Sequence, residues 1–431
     1  MVVTIVVLLI LAGVTISLLL DENGIIQKSK DARREYRQAQ ANEQSDFDNI
    51  SDLIDEATGV MDWNKILEKV NADPEKYKHP DQSSTNQDIG IGTDGKPVNL
   101  DLWTYMVINE NEINLSGNAY SQNRPGYQNS NITEDGEIQG KVPQYIKIAG
   151  TTEFYPVTSI GGTFAYCVNL KIAPEIPSSV TNMNSTFYGC TSLITAPEIP
   201  SSVTYMSLAF SGCTSLTTAP EIPSSVTGII LAFSGCTSLT TAPEIPSSVT
   251  NMGSTFSGCT SLTTAPEIPS SVSDMSCTFD GCTSLTTVPK IPSSVTDMRS
   301  TFSGCTSLAT APEIPSSVTN MQSTFSRCTS LTIAPTIPSS VTDMGGTFYG
   351  CTSLTTVTTI PSSVTDMNNT FSGCTSLTGK LVINANPKYY SNCLNNASIA
   401  AGTNLVVSGT STLLNEIIAT KSNNSNITKG N

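Results

Sequence analysis

Ten cysteines stand at an unbroken 23-residue spacing: Cys167, Cys190, Cys213, Cys236, Cys259, Cys282, Cys305, Cys328, Cys351 and Cys374. A fixed period of this size, held this long, is the signature of a solenoid, whose units cannot bury their apolar faces alone and must stack. With each cysteine as position 0, the columns can be read within this one chain. Leu stands at +3 (Leu170 to Leu377), Ala or Val at +6, Ile at +9 and Val at +13. Met stands at +16, replaced once by Ile229, and Phe at +20 (Phe164 to Phe371). Those seven columns are the consistently apolar ones and form the expected core. The fold class that follows is mainly β, a solenoid of about ten 23-residue rungs.

Within a rung, Ser-Val-Thr-x-Met alternates apolar and polar residues and is β-branched, so it predicts a short strand. The Ala-Pro-Glu-Ile-Pro stretch is extended, but its two prolines have no N–H to donate. That face is therefore expected to be polyproline-like or patchily paired. Gly at +22 marks a tight corner that needs an unusual backbone angle.

The phrase Val157-Thr158-Ser159-Ile160-Gly161-Gly162-Thr163-Phe164, followed by Cys167 and Leu170, resembles the repeat of BspA-like leucine-rich-repeat proteins. Their units run roughly I-P-x-S-V-T-x-I-G-x-x-A-F-x-x-C-x-x-L, and the likeness covers about residues 140–380. This chain departs in having Met for the Ile before the Gly, one residue fewer between that Met and Phe, and one more, with Pro, before Ile-Pro. The resemblance implies a leucine-rich-repeat solenoid on a bacterial surface or secreted protein, binding host or bacterial surface proteins or glycans, as in adhesion.

Charge is sparse. Lys, Arg, Asp and Glu make up 13% of the chain, against an ordinary ~25%. The deficit sits in the rungs, where residues 164–377 carry 4 basic and 11 acidic side chains. Ser and Thr columns must cover the surface instead. The net charge of −15 argues against nucleic acid as a partner. The sole histidine, His79, lies in a Lys78-His79-Pro80 loop, and no zinc, phosphate-loop or catalytic motif appears. The chain is expected not to be an enzyme and to carry no cofactor or metal. Stacked cysteines could meet disulfide separations, but a column among core positions favours buried thiols that act as small apolar residues. Cys277 and Cys393 lie outside the register.

Two surface features stand out. Glu175, Glu198, Glu221, Glu244 and Glu267 fill the +8 column, which Lys290 interrupts and Glu313 resumes. Such a stripe is expected to be solvated, and a cation or basic partner would relieve its repulsion. Around the variable +17 and +18 columns most rungs carry Ser, Gly or Asn. Two adjacent rungs instead bring Tyr205 and Leu208, then Ile230 and Leu231. Facing outward, these would be an apolar contact site on a hydroxyl-rich surface; facing inward, they would be repacking around Ala209-Phe210 and Ala232-Phe233.

Residues 1–20 carry no charge and are long enough for a membrane-anchor helix. The stretch from Val2 to Gln27 resembles the N-terminal helix of type IV pilin-like surface proteins. Lys28, Lys30, Arg33, Arg34 and Arg37 follow the span, which on charge bias alone would place the C-terminal side inside. The resemblance implies the opposite, a membrane-tethered chain with its solenoid extracellular. The remaining expectations are a polar, amphipathic helix over 21–60, a short helix and linker over 61–94, and a small β cap over 95–160. The solenoid then spans 161–380, a C-terminal cap 381–422 and a disordered tail 423–431. A structural spacer without a specific ligand is the competing role.

Overall fold

The computed structural model describes residues 88–108, 112–115, 127, 129–149, 151 and 153–430. The anchor over 1–20, the helix over 21–60 and most of the 61–94 segment lie outside the described residues. Among the described residues, no helix is long and apolar enough to cross a membrane.

A six-stranded sheet precedes the rungs. Its strands are β1 (Ile89–Gly92), β2 (Pro97–Val98), β3 (Met106–Ile108), β4 (Glu112–Asn114), β5 (Pro143–Lys147) and β6 (Phe154–Ser159), in the order β2-β1-β5-β6-β4-β3. It begins at Ile89, inside the stretch expected to be linker. Its covering of the first rung is aromatic. Trp103 packs on Tyr127 at 4.8 Å between ring centroids, and Tyr127 packs on Phe164 at 5.6 Å, so both extend the phenylalanine column.

From Phe164 to Phe371 the rings lie nearly parallel, with centroids 5.4–5.9 Å apart and interplanar angles of 2–15°. The Cys, Leu, Ile, Val, Met and Phe columns are buried, and the +6 column is buried or half-buried. An eighth buried column was hidden from the pattern: Thr at +19, fully buried at Thr186, Thr255, Thr278, Thr301, Thr324, Thr347 and Thr370. Its hydroxyl shares one proton between two main-chain carbonyls. Thr301 Oγ1 lies 2.8 Å from Met298 O of its own rung and 2.8 Å from Met275 O of the rung before.

The strand expected at Ser-Val-Thr-x-Met shrinks to single parallel bridges at +15, such as Asp274↔Asp297 and Asp343↔Asp366. The backbone itself gives the reason. Met183, Ser185, Phe187 and Gly189 donate their N–H groups to the following rung, whereas Thr186, Tyr188 and Cys190 donate to the carbonyl three residues back. Every second peptide thus closes a turn instead of joining a ladder. This alternation requires left-handed backbone at +22, as foreseen (Gly189, φ 70°), and also at +18, where Ser185 has φ 56°.

The proline-bearing face is held by single bridges at +5, for example Thr241↔Thr264, and near its C-terminal end by one at +9, Ile360↔Ile383. Where the prolines stop, a true parallel sheet forms: β7 (Gly379–Val382), β8 (Leu405–Ser408) and β9 (Ile427–Lys429). Beside it lies α1 (Leu414–Ala419), which buries Leu414 and Ile417. β9 corrects the tail expected to be disordered. Ile427, a buried residue in a polar stretch, pairs with Leu405 and anchors the last strand. A composition dominated by Asn, Ser and Thr concealed it.

Candidate functional site

A regular rung displays little that is free to act. At +15 an Asn or Asp accepts the N–H two residues on: Asn251 Oδ1 from Gly253 at 2.7 Å, Asp274 Oδ1 from Ser276 at 2.8 Å, Asp366 Oδ1 from Asn368 at 2.8 Å. Ser at +12 donates to the preceding rung's Val carbonyl, as Ser271 does to Val249 O at 2.6 Å. Thr at +1 and +14 does the same to its own column, as in Thr283 to Thr260 O and Thr319 to Thr296 O. The hydroxyls that replace charge on this surface are therefore also rivets, each joining one rung to the next.

Besides the last rung, with Tyr389 at +15 and Cys393 at +19, two adjacent rungs break the scheme. The Asx position holds Tyr205 and then Gly228, and the +19 Thr becomes Ala209 and then Ala232. Tyr205 stands at +15, two places before the variable columns. It is 53% exposed, and its ring covers Gly228, where an added Cβ would lie 3.2 Å from Tyr205 Cδ1. Ile230 at +17 is 40% exposed, and its carbonyl accepts the Leu208 N–H at 2.9 Å. Leu208 and Leu231 are half-buried at +18, with φ of 60° and 58°. All four expected contact residues therefore come together at the surface of neighbouring rungs. Ser207 N–H, left without its usual acceptor, takes Asn184 Oδ1 of the rung before at 2.8 Å. The backbone path survives; its outward chemistry changes from polar to apolar.

The +8 glutamates Glu175, Glu198, Glu221, Glu244, Glu267 and Glu313 are all exposed. Glu175 Oε2 accepts from Thr93 Oγ1 at 2.9 Å, tying the N-terminal sheet to the first rungs. Among the described residues, no group of three or more His, Cys, Asp or Glu side chains could hold a metal ion. At +15, burial and the neighbouring Asp366 raise the Asp343 carboxyl above its ordinary range, against the lowering pull of the Gly345 N–H.

The cysteines of the register are buried free thiols. From Cys190 to Cys374 each points at the Phe carbonyl 26 residues back, such as Cys190 Sγ to Phe164 O at 3.0 Å and Cys374 Sγ to Phe348 O at 3.0 Å, while Cys167 Sγ points at Tyr127 O at 3.4 Å. Burial pushes them up, Cys236 and Cys351 to about 12. A thiol held this way is neutral and unreactive, a weak donor inside the core rather than a nucleophile. Cys277 occupies a left-handed +18 position and is partly exposed; Cys393 is buried beyond the last full rung.

The profile of the family described as BspA type leucine-rich repeat region matches in six copies over residues 153–263 and 254–378, more than half of the chain. Similar solved structures include a leucine-rich repeat protein of Bacteroides ovatus, 20% identical over 77% of this chain and 99% of that one, with a TM-score of 0.42. A leucine-rich cell surface protein of Faecalibacterium prausnitzii is 23% identical over 65% and 93% of the two chains, with a TM-score of 0.35. The pneumococcal vaccine antigen PcpA is 15% identical over 76% and 96%, with a TM-score of 0.38. No curated protein matches the sequence.

Proposed function

The chain belongs to the BspA type leucine-rich repeat family, and from that premise we propose that it is a bacterial surface protein whose rungs bind another macromolecule by adhesion. The observation that carries this reading is the apolar patch of Tyr205, Leu208, Ile230 and Leu231 at +15 to +18 of two adjacent rungs, columns that are mostly Ser, Gly, Asn or Asp in the others. An exposed tyrosine and isoleucine on an ordered backbone lose little conformational freedom when covered. Each fully covered apolar side chain of this size contributes roughly 1.5–3 kcal/mol, so two of them set the difference between casual and specific contact.

On this reading the rungs recognise host or bacterial surface proteins or glycans, and residues 1–20 tether the chain to the membrane with the solenoid outside. What supports the tether is the uncharged apolar run at the N-terminus. No catalytic step belongs to the proposal. The glutamate stripe serves it indirectly, by keeping the Pro-bearing face solvated and poor at sticking to copies of itself.

The test is the double variant Tyr205→Ser, Ile230→Ser. Binding of the purified chain to bacterial or host cells should fall at least tenfold while the melting temperature stays put. Unchanged binding with an intact fold overturns the patch as the contact site. No measurable cell binding by the unmodified chain supports the competing role of a structural spacer.

A further inference from the structure

A cleft of about 410 Å³ opens on the Pro-bearing face near the C-terminal end of the rungs. That volume falls within the roughly 300–1,000 Å³ of small-molecule sites. We propose that this cleft binds a neutral saccharide.

Its lining decides the ligand class. Ile337, which is buried, and Pro361 give it an apolar floor. The exposed Thr336, Ser339, Thr359 and Ser362 surround that floor with hydroxyls. Hydroxyls both donate and accept, so they match a ligand whose own groups are hydroxyls of either sense. The apolar floor matches the C–H face of a sugar ring. An apolar ligand would leave the hydroxyls unpaired, and a charged one would find no countercharge to offset its desolvation.

The sequence departs from its own repeat at this place. The +8 column is Glu in six earlier rungs and Lys290 in another; at the cleft it becomes Thr336 and then Thr359. Every charge the column would have placed in the lining is thereby absent. The +7 proline is also replaced, by Thr358, whose hydroxyl donates to Pro335 O at 3.3 Å.

One polar group is oriented in advance. Asn384 donates its N–H to Ile360 O at 3.0 Å. Its side-chain Oδ1 accepts from both the N–H and the hydroxyl of Thr410, each at 3.2 Å. With Oδ1 so engaged, the amide NH2 is the end of Asn384 left to meet a ligand. Preorganised polar groups of this kind lower the cost of binding. The residues are distinct from Tyr205, Leu208, Ile230 and Leu231, so the proposal stands or falls separately from the adhesive patch.

Maltotriose, chitotriose and mannotriose would be titrated into the full chain and followed by calorimetry and saturation-transfer NMR. At least one is expected to bind at millimolar concentration or below. The double variant Thr336→Glu, Thr359→Glu installs the side chain that the same column carries elsewhere, so it should melt as the unmodified chain does. It should lose at least tenfold in affinity. A second variant, Ser339→Leu, fills the rim without adding charge and should weaken binding too. The proposal is overturned if none of the three sugars binds, if both variants bind as tightly as the unmodified chain, or if an oligomer of glucuronic acid binds in the cleft as well as the neutral sugars do.

Discussion

The two rungs that carry Tyr205 and Ile230 and the rungs from Asn251 onward share the Cys, Leu, Val and Phe columns of the interior, and differ at the surface and at the buried +19 position. Cys213 and Cys236 are buried like Cys282 and Cys305, and Phe210 and Phe233 stack like Phe279 and Phe302. Even the strained +18 position is the same, at φ 60° and 58° for Leu208 and Leu231 against 53° and 52° for Ser254 and Ser300. What differs is the set of side chains that bond to the main chain. The Asx acceptor at +15 and the buried Thr at +19 are lost together, in the same two rungs, while apolar groups arrive at +17 and +18. A solenoid can change a rung's surface and keep its left-handed +18 corner, because the core columns hold the rung between its neighbours.

The sharpest way to break that comparison is alkaline pH, which acts on the shared interior. In the folded rungs burial lifts thiols such as Cys236 and Cys351 to about 12, from an ordinary value near 9. Between those values the unfolded chain gives up protons that the folded chain keeps. Stability is therefore full below the unfolded pKa and falls as pH rises, by up to about 1.4 kcal/mol per pH unit for each thiol. Melting temperature measured from about pH 8 to about pH 11 should drop steeply and in one transition. A flat profile would contradict the buried thiol column. Separate, earlier melting of the Tyr205 and Ile230 rungs would show that their interiors are not equivalent to the rest. Next in size is the aromatic column. Phe233→Ala and Phe279→Ala should each cost about 3–5 kcal/mol, with matching losses in chemical denaturation. A much smaller loss at Phe233 would mean that the apolar rungs are loosely packed, and that their surface patch is a by-product of slack.

The period and the seven apolar columns made the solenoid and most of its core legible. They missed Thr at +19 because a hydroxyl residue reads as surface unless a buried acceptor is known. The clue was that the column holds Thr, Ala or, in the last rung, Cys393, and never a charged or long side chain, which is what a closed space permits. The strand at Ser-Val-Thr-x-Met was misjudged for a related reason. Alternation fixes which side chains face inward, but whether each N–H joins a ladder or closes a turn depends on the left-handed residue at +18, and Ser, Leu, Cys, Gly and Asn there do not advertise it. Proline acts in both directions: the Pro-bearing face has mainly single bridges at +5, and β7 forms in the rung where Leu381 and Asn384 replace both prolines. The four apolar residues proposed as the contact site were visible as departures from the repeat. The cleft at Thr336 and Thr359 was not, since a column that stops being charged is less conspicuous than one that becomes apolar.

The smallest expected effect isolates the buried +19 column. Thr278→Val keeps the shape of the +19 side chain and removes the proton that Thr278 Oγ1 shares between Met252 O at 2.9 Å and Met275 O at 2.8 Å. Each of those carbonyls has other hydrogen bonds to fall back on: the Thr255 and Thr278 N–H groups, both at 3.1 Å, close turns onto them. The loss should accordingly be about 1 kcal/mol, the net worth of one hydrogen bond, rather than the larger penalty of an orphaned polar group. The reverse change, Ala232→Thr, supplies the missing hydroxyl to an apolar rung. If the two kinds of rung share one interior, the new Thr finds Met206 O and Ile229 O where its counterparts find theirs, and stability rises by no more than the same ~1 kcal/mol. A loss in Ala232→Thr would show that Ile229 and Leu231 have taken the space a Thr needs. The apolar patch would then be locked to its own core and could not be reverted to the regular pattern one residue at a time.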